Sequence, residues 1–205
     1  MDLVCASANS DKYIEIVQIL SGVVNLTPRP EGIPEVLEEE DNLEGNARLK
    51  AVAIQAATGC AAVADDTGLE VDALGGAPGV YSARYAGENA TYEDNVLKLL
   101  KEMEGVVGGK RSARFRTVAL ISWADGTETI AEGAVEGFIA ETPSGTGGFG
   151  YDSIFIPSSG GGKTFAEMGD EEKNAISHRG AAFRALKSCL AGKGSRRTIA
   201  LEERD

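Results

Sequence analysis

The stretch that most restricts what this chain can fold into is ARFRTVALISWADGTETIAEGAVEGFIA, residues 113–140. Apolar and polar side chains alternate on both sides of Asp125-Gly126, and a period of two puts alternate side chains on opposite faces of a strand. Asp-Gly between two such runs favours a tight connection, so the stretch predicts a long antiparallel hairpin.

What precedes this ribbon alternates strand with helix. DLVCA predicts a short strand, SANSDK a polar loop, and YIEIVQILSG a helix stopped by Gly22. VVNLT predicts a second strand, followed by the Pro-punctuated loop PRPEGIP and the acidic run EVLEEED. NLEGNARLKAVAIQAATG has the spacing of an amphipathic helix ended by Gly59. CAAVADD predicts an apolar strand closing on Asp65 and Asp66, GLEVDAL a second extended segment, and GGAPGVYSARYAG a long Gly-rich loop. Thr91 and Asp94 offer a capping box for the helix YEDNVLKLLKEME. After SIFIP, Asp170 is placed to cap a final helix, EEKNAISHRGAAFRALKSCLAG, with Gly192 beyond its end. No repeat or low-complexity linker divides the chain. The expectation is an α/β fold, a mixed sheet flanked by helices, in one domain over residues 1–192, with a charged and poorly ordered tail over 193–205.

Charge and composition narrow the function. A net charge of −12 argues against a nucleic-acid polymer as partner, because such surfaces neutralise phosphates with clustered Lys and Arg. A small anionic ligand stays open, provided a few local cations or a bound metal overcome the global field. Cys5, Cys60 and Cys189 are odd in number, widely spaced and set among apolar residues, which predicts reduced packing residues in a cytoplasmic protein. The first residues lack a basic segment followed by an apolar core, and no run of 18 apolar residues occurs, so neither secretion nor membrane insertion is expected.

Several short clusters carry the chemistry. Ser7, Asn9 and Lys12 stand where a strand opens into a helix, a place whose N–H groups favour a phosphate; the plainer reading is a Ser10 helix cap with a solvated lysine. Asp65 and Asp66 are adjacent, so only one of them faces a given ligand, either holding Mg²⁺ or orienting water, unless both are turn acids. Glu38, Glu39, Glu40 and Asp41 read either as a solvated acidic run or as the source of a second metal ligand. His178 is the one histidine, which excludes a multi-histidine metal centre. It stands in KNAISHRG with Lys173 and Arg179, either cations for a polyphosphate or an exposed basic helix end. In GGFGYD, residues 147–152, the glycines permit positive φ, Phe149 or Tyr151 offers a stacking face, and Asp152 accepts hydrogen bonds. Together these features describe a nucleoside triphosphate, with a ring over an aromatic and cations along its phosphate tail.

Three of these segments, ADDTGLEVDALGGAPGVYSARYAG, GTGGFGYDSIF and EEKNAISHRGAAFRAL, with SANSDK near the start, resemble the inosine triphosphate pyrophosphatase family, the dITP/XTP pyrophosphatases. The likeness runs in order from about residue 3 to residue 190. It implies Mg²⁺-dependent hydrolysis of ITP, dITP and XTP to the monophosphate and pyrophosphate. It also implies an elongated two-lobed α/β fold with the active site in the cleft, and a homodimer.

The resemblance implies roles residue by residue. Ser7, Ala8, Asn9, Ser10, Asp11 and Lys12 would bind substrate at the first loop, Asp66 would be proton acceptor and metal ligand, and Thr67 would contact substrate. Phe149, Gly150, Tyr151 and Asp152 would form part of the base pocket, Lys173 would touch phosphate, and His178 with Arg179 would help recognise the purine. Glu38 is the chosen second metal ligand over Glu39 and Glu40. The chain departs from the family pattern at Ala8, where glycine is usual, at Ser153, where proline is common, and at Gly45, where an acid is common. Two other readings compete: an enzyme clearing a different modified nucleotide, and a nucleotide-binding module without turnover.

Overall fold

The computed structural model describes residues 1–192, so the tail expected over 193–205 lies outside the described residues. In chain order the elements are β1 (Asp2–Cys5), α1 (Ser10–Leu20), β2 (Asn25–Thr27), α2 (Leu43–Thr58), β3 (Ala62–Val71), β4 (Pro78–Gly79), α3 (Tyr92–Glu102), β5 (Ser112–Ser122), β6 (Glu128–Ile139), β7 (Phe155–Pro157), α4 (Asp170–Ile176) and α5 (His178–Leu190). The fold is mixed α/β, with a sheet ordered β2-β1-β3-β5-β6-β7 and β4 paired to β3. β1 runs parallel to β2 and to β3, with Val4 opposite Ala62, and parallel pairing requires the long crossovers that α1 and α2 supply. β3 with β4, and β6 with β7, are antiparallel. β5 and β6 are sheet neighbours, and at their connection Trp123 N–H donates to Thr127 O (2.9 Å). No helix among the described residues is long and apolar enough to cross a membrane.

The chain forms two compact units, and each has its own apolar core. The first unit comprises residues 1–66, 117–133 and 179–192 among the described residues. Its core gathers Leu3, Ile16, Leu20, Val63, Phe183 and Leu186. The second unit comprises residues 67–116 and 134–178, and its core gathers Leu69, Leu99, Phe115, Tyr151, Phe155 and Phe165. Burying one such aromatic or aliphatic side chain stabilises by about 1.5–3 kcal/mol, so each core outweighs any single surface ion pair.

Local signals place most elements. Gly59 ends α2 in the left-handed conformation, with its N–H on Gln55 O, and Thr91 with Asp94 forms the capping box of α3. Five expectations are corrected. CAAVADD and the first part of GLEVDAL form one ten-residue strand, β3, so Asp65 and Asp66 lie in its interior rather than at its end, and Asp72–Leu74 turn into a short 3-10 helix instead of staying extended. Burial explains this, because Ala62 to Ala64 and then Leu69 and Val71 are all covered, and β4 adds a ladder partner at Leu69. The Gly-rich loop thus contains β4 and a short 3-10 turn at Ser82–Arg84. The final helix is two, because Ser177 is extended (φ −72°, ψ 158°), and α4 is capped by Gly169 rather than Asp170. Of the cysteines, Cys5 and Cys189 are buried, but Cys60 follows the cap of α2 and is exposed.

Candidate active site

In the first unit the site is built from β3, α2 and the loop entering α1. Asn9, not Ser10, caps α1: its Oδ1 accepts the N–H of Asp11 (2.9 Å) and of Lys12 (3.2 Å), while Ser7 Oγ accepts the N–H of Asn9 (3.2 Å). Ala8 and Ser10 are exposed on this turn. The cap turns Lys12 toward β3, where its ammonium lies 3.2 Å from Asp65 Oδ2. Arg179, the second residue of α5 and only 2% exposed, meets the same oxygen through Nη2 at 3.2 Å and binds Glu15 through Nη1 at 2.6 Å.

Asp66, next along the strand, meets a different set of groups. Lys50 Nζ lies 2.9 Å from Asp66 Oδ1 and 2.6 Å from Glu38 Oε1, so one ammonium joins both carboxylates. Asn46, one turn before Lys50 on α2, has its Nδ2 at 3.5 Å from Asp66 Oδ2. The same Asn46 takes the Glu40 N–H (3.0 Å) and donates to Glu40 O (3.2 Å), fixing the acidic run against the helix. Gly45 permits that approach, because a Cβ there would sit 2.7 Å from Glu40 Cβ. Glu39 and Glu40 are exposed, while Glu38 is half-buried with its carboxylate on Lys50. Lys50 and Asn46 escaped the sequence reading; their spacing of four residues on a helix was the available signal, since it puts both on one face.

The two aspartates are pushed in opposite directions. Burial disfavours the charge of Asp65, but Lys12, Arg179 and Lys50 outweigh it and hold its carboxyl well below the usual range. Burial raises Asp66, and Glu38 adds to the rise against the opposing pull of Lys50 and Lys12. Burial opposes the Lys50 charge, yet Asp66, Glu38 and Asp65 leave it raised and therefore cationic. An ionised anchor beside a more basic carboxylate is the pattern expected where one acid positions cations and the other takes up a proton.

In the second unit the residues 147–152 form a tight turn closed by Asp152, which accepts the Phe149 N–H (2.8 Å) and Lys173 Nζ (2.5 Å). Gly148 has φ +66°, and a Cβ there would collide with the Asp152 carboxylate. Phe149 is half-buried, with Lys173 Nζ 4.7 Å from its ring centre and the Tyr92 ring centre at 5.9 Å. Gly150 follows in the left-handed conformation, and Tyr151 turns into the core, where its hydroxyl donates to Ser82 O (2.9 Å). Of the two aromatics offered for stacking, Phe149 is therefore the accessible one. His178 is buried and stacks on Phe115 with ring centres 4.4 Å apart. Thr67 follows Asp66 on β3 and is half-buried.

The break at Ser177 decides how KNAISHRG is used. Lys173 stays on α4, His178 opens α5 within the second unit, and Arg179 belongs to the first. All three are at most 4% exposed, so the alternative of an exposed basic helix end is excluded.

Among the described residues no group of three or more His, Cys, Asp or Glu is arranged to hold a metal by itself. Mg²⁺ needs less, typically one or two carboxylates completed by substrate phosphates and water. Glu38 and Asp66 fit that demand, since their oxygens already converge on one cation, the Lys50 ammonium.

Comparison with known proteins gives a consistent picture. The dITP/XTP pyrophosphatase of Chlorobaculum tepidum is 49% identical over 202 residues, covering 88% of each chain. That of Geobacter sulfurreducens is 48% identical over 197 residues, covering 94% of this chain and 98% of the relative. A solved Ham1 protein from Coxiella burnetii superimposes with a TM-score of 0.83 at 40% identity, covering 94% of this chain and 99% of that one. The Staphylococcus aureus Ham1 protein gives 0.82 at 39%, covering 94% and 100%. With the Ham1 family pattern matching residues 3–189, nearly the whole described chain, this protein belongs to the Ham1 family.

Proposed function

We propose that the chain hydrolyses ITP, dITP and XTP to the monophosphate and pyrophosphate. The observation that carries the reading is the meeting of two carboxylates, the buried Asp66 and the half-buried Glu38, on the Lys50 ammonium, next along the strand from Asp65 with its cations Lys12 and Arg179. The names of the similar proteins, dITP/XTP pyrophosphatases, support the substrate class.

In this mechanism Asp66 accepts the proton of a water whose oxygen attacks the α-phosphorus, and the bond from that phosphorus to the bridging oxygen breaks to release pyrophosphate. Lys12 and Lys50 offset charge on the phosphates, and Asp65, itself anchored by Arg179, holds Lys12 at its post. Glu38 and Asp66 would hold Mg²⁺, which when bound supplies further charge neutralisation. The turn 147–152 presents Phe149 to the base, while Lys173, bonded to Asp152, fixes the turn rather than reaching freely for a phosphate. A donor aimed at a 6-oxo group faces another donor when adenine arrives, which discriminates by about 10⁴ or more. The same reading places the protein in the cytoplasm as a homodimer, a state that sedimentation tests directly.

The test is pyrophosphate release from ITP, XTP, dITP, ATP and GTP, with and without Mg²⁺. Asp66→Asn should keep the fold and lose most turnover on ITP. Turnover at the parental rate would remove Asp66 from the role of base, and equal rates on ATP and GTP would refute the substrate assignment.

A further inference from the structure

We propose that Tyr92 is a second base-contact residue, whose ring extends the surface of Phe149 to suit a bicyclic purine and thereby favours purines over pyrimidines. The inference rests on the base-binding role given above to Phe149. Tyr92 opens α3, and the capping box fixes its backbone, with Asp94 N–H on Thr91 Oγ1 (3.1 Å) and Thr91 N–H on Asp94 Oδ2 (2.9 Å). The residue is nevertheless 43% exposed, and its ring centre lies 5.9 Å from that of Phe149 at an interplanar angle of 40°.

Phe149 is held just as firmly, through its N–H on Asp152 and the Lys173 ammonium over its ring. Two rings this close admit no third ring between them, because stacked carbons need about 3.5 Å on each side. A base lying flat on Phe149 therefore meets Tyr92 alongside, at an inclination aromatic pairs favour over a face-to-face sandwich. A six-membered ring is covered by Phe149 alone, whereas the second ring of a purine reaches beyond it to Tyr92. The apolar ring area, rather than the hydroxyl, carries the contact.

The experiment measures kcat and KM for ITP and dUTP, and the affinity for IMP by calorimetry, in the parent, Tyr92→Ala, Tyr92→Phe and Leu97→Ala. Leu97 is 56% exposed on the same helix and serves as a surface control, and thermal unfolding checks that each variant is folded. Tyr92→Ala should raise the ITP KM and weaken IMP by about five-fold or more with kcat unchanged, Tyr92→Phe should stay within about two-fold of the parent, and dUTP should be affected less than ITP. A parental KM and IMP affinity in Tyr92→Ala, an equal loss on dUTP, or a Tyr92→Phe as impaired as the alanine variant would overturn the proposal. A parent that binds IMP without hydrolysing ITP would refute the proposed activity alone, leaving IMP affinity to decide on Tyr92. A parent that does neither would refute both.

Discussion

At the scale of single residues, the adjacent Asp65 and Asp66 differ because a strand sends them to opposite faces, and the faces carry different cations. Asp65 meets Lys12 and the buried Arg179, while Asp66 shares Lys50 with Glu38. Since the folded-state affinity of Asp65 for protons is depressed, its contribution to stability is complete above the ordinary carboxylate range and is lost as pH falls below about 4. Asp65→Asn should therefore flatten the acid-side loss of stability in urea unfolding followed against pH. At neutral pH it should cost about 3–5 kcal/mol, because Arg179 is left buried with less compensation. An unchanged acid limb would show that Asp65 does not carry the linkage.

At the scale of elements, the turn 147–152 and α4 act as one piece, joined by Asp152 and Lys173. Gly148 is the position where this piece tolerates least, since it combines positive φ with the closeness of the Asp152 carboxylate. Gly148→Ala should destabilise by about 1–3 kcal/mol, seen as a lower Tm, and should weaken IMP binding by displacing Phe149. Parental stability and affinity would mean that the turn relaxes without using Asp152. The break at Ser177 belongs to the same scale. Helical periodicity runs through KNAISHRG, but His178 stacks on Phe115 in one core and Arg179 binds Asp65, and one continuous helix gives way to these burials.

At the scale of the whole molecule, three strands, β3, β5 and β6, contribute residues to both compact units, so neither unit is a contiguous piece of sequence. The family match ends at residue 189 and α5 ends at Leu190. A chain shortened to residue 192 should therefore keep pyrophosphate release from ITP within about two-fold of the parent, with an unchanged Tm. A larger loss of turnover at constant Tm would assign the last residues a part in substrate handling.

The sequence by itself determined what depends on neighbours along the chain. The capping box at Thr91, the Gly59 helix end, the alternation of strands and helices and the motifs pointing to a nucleoside triphosphate are all local patterns, readable because each needs only a few adjacent residues. Only the tertiary structure decided which partners those motifs meet. It joined CAAVADD to GLEVDAL, singled out Phe149 over Tyr151 as the accessible ring, brought Lys50 and Asn46 to Asp66, and divided KNAISHRG. The physical reason is that burial and charge pairing act between residues far apart in sequence. Arg179 and Asp65 lie 114 residues apart in the chain, and their contact at 3.2 Å is set by packing rather than by spacing.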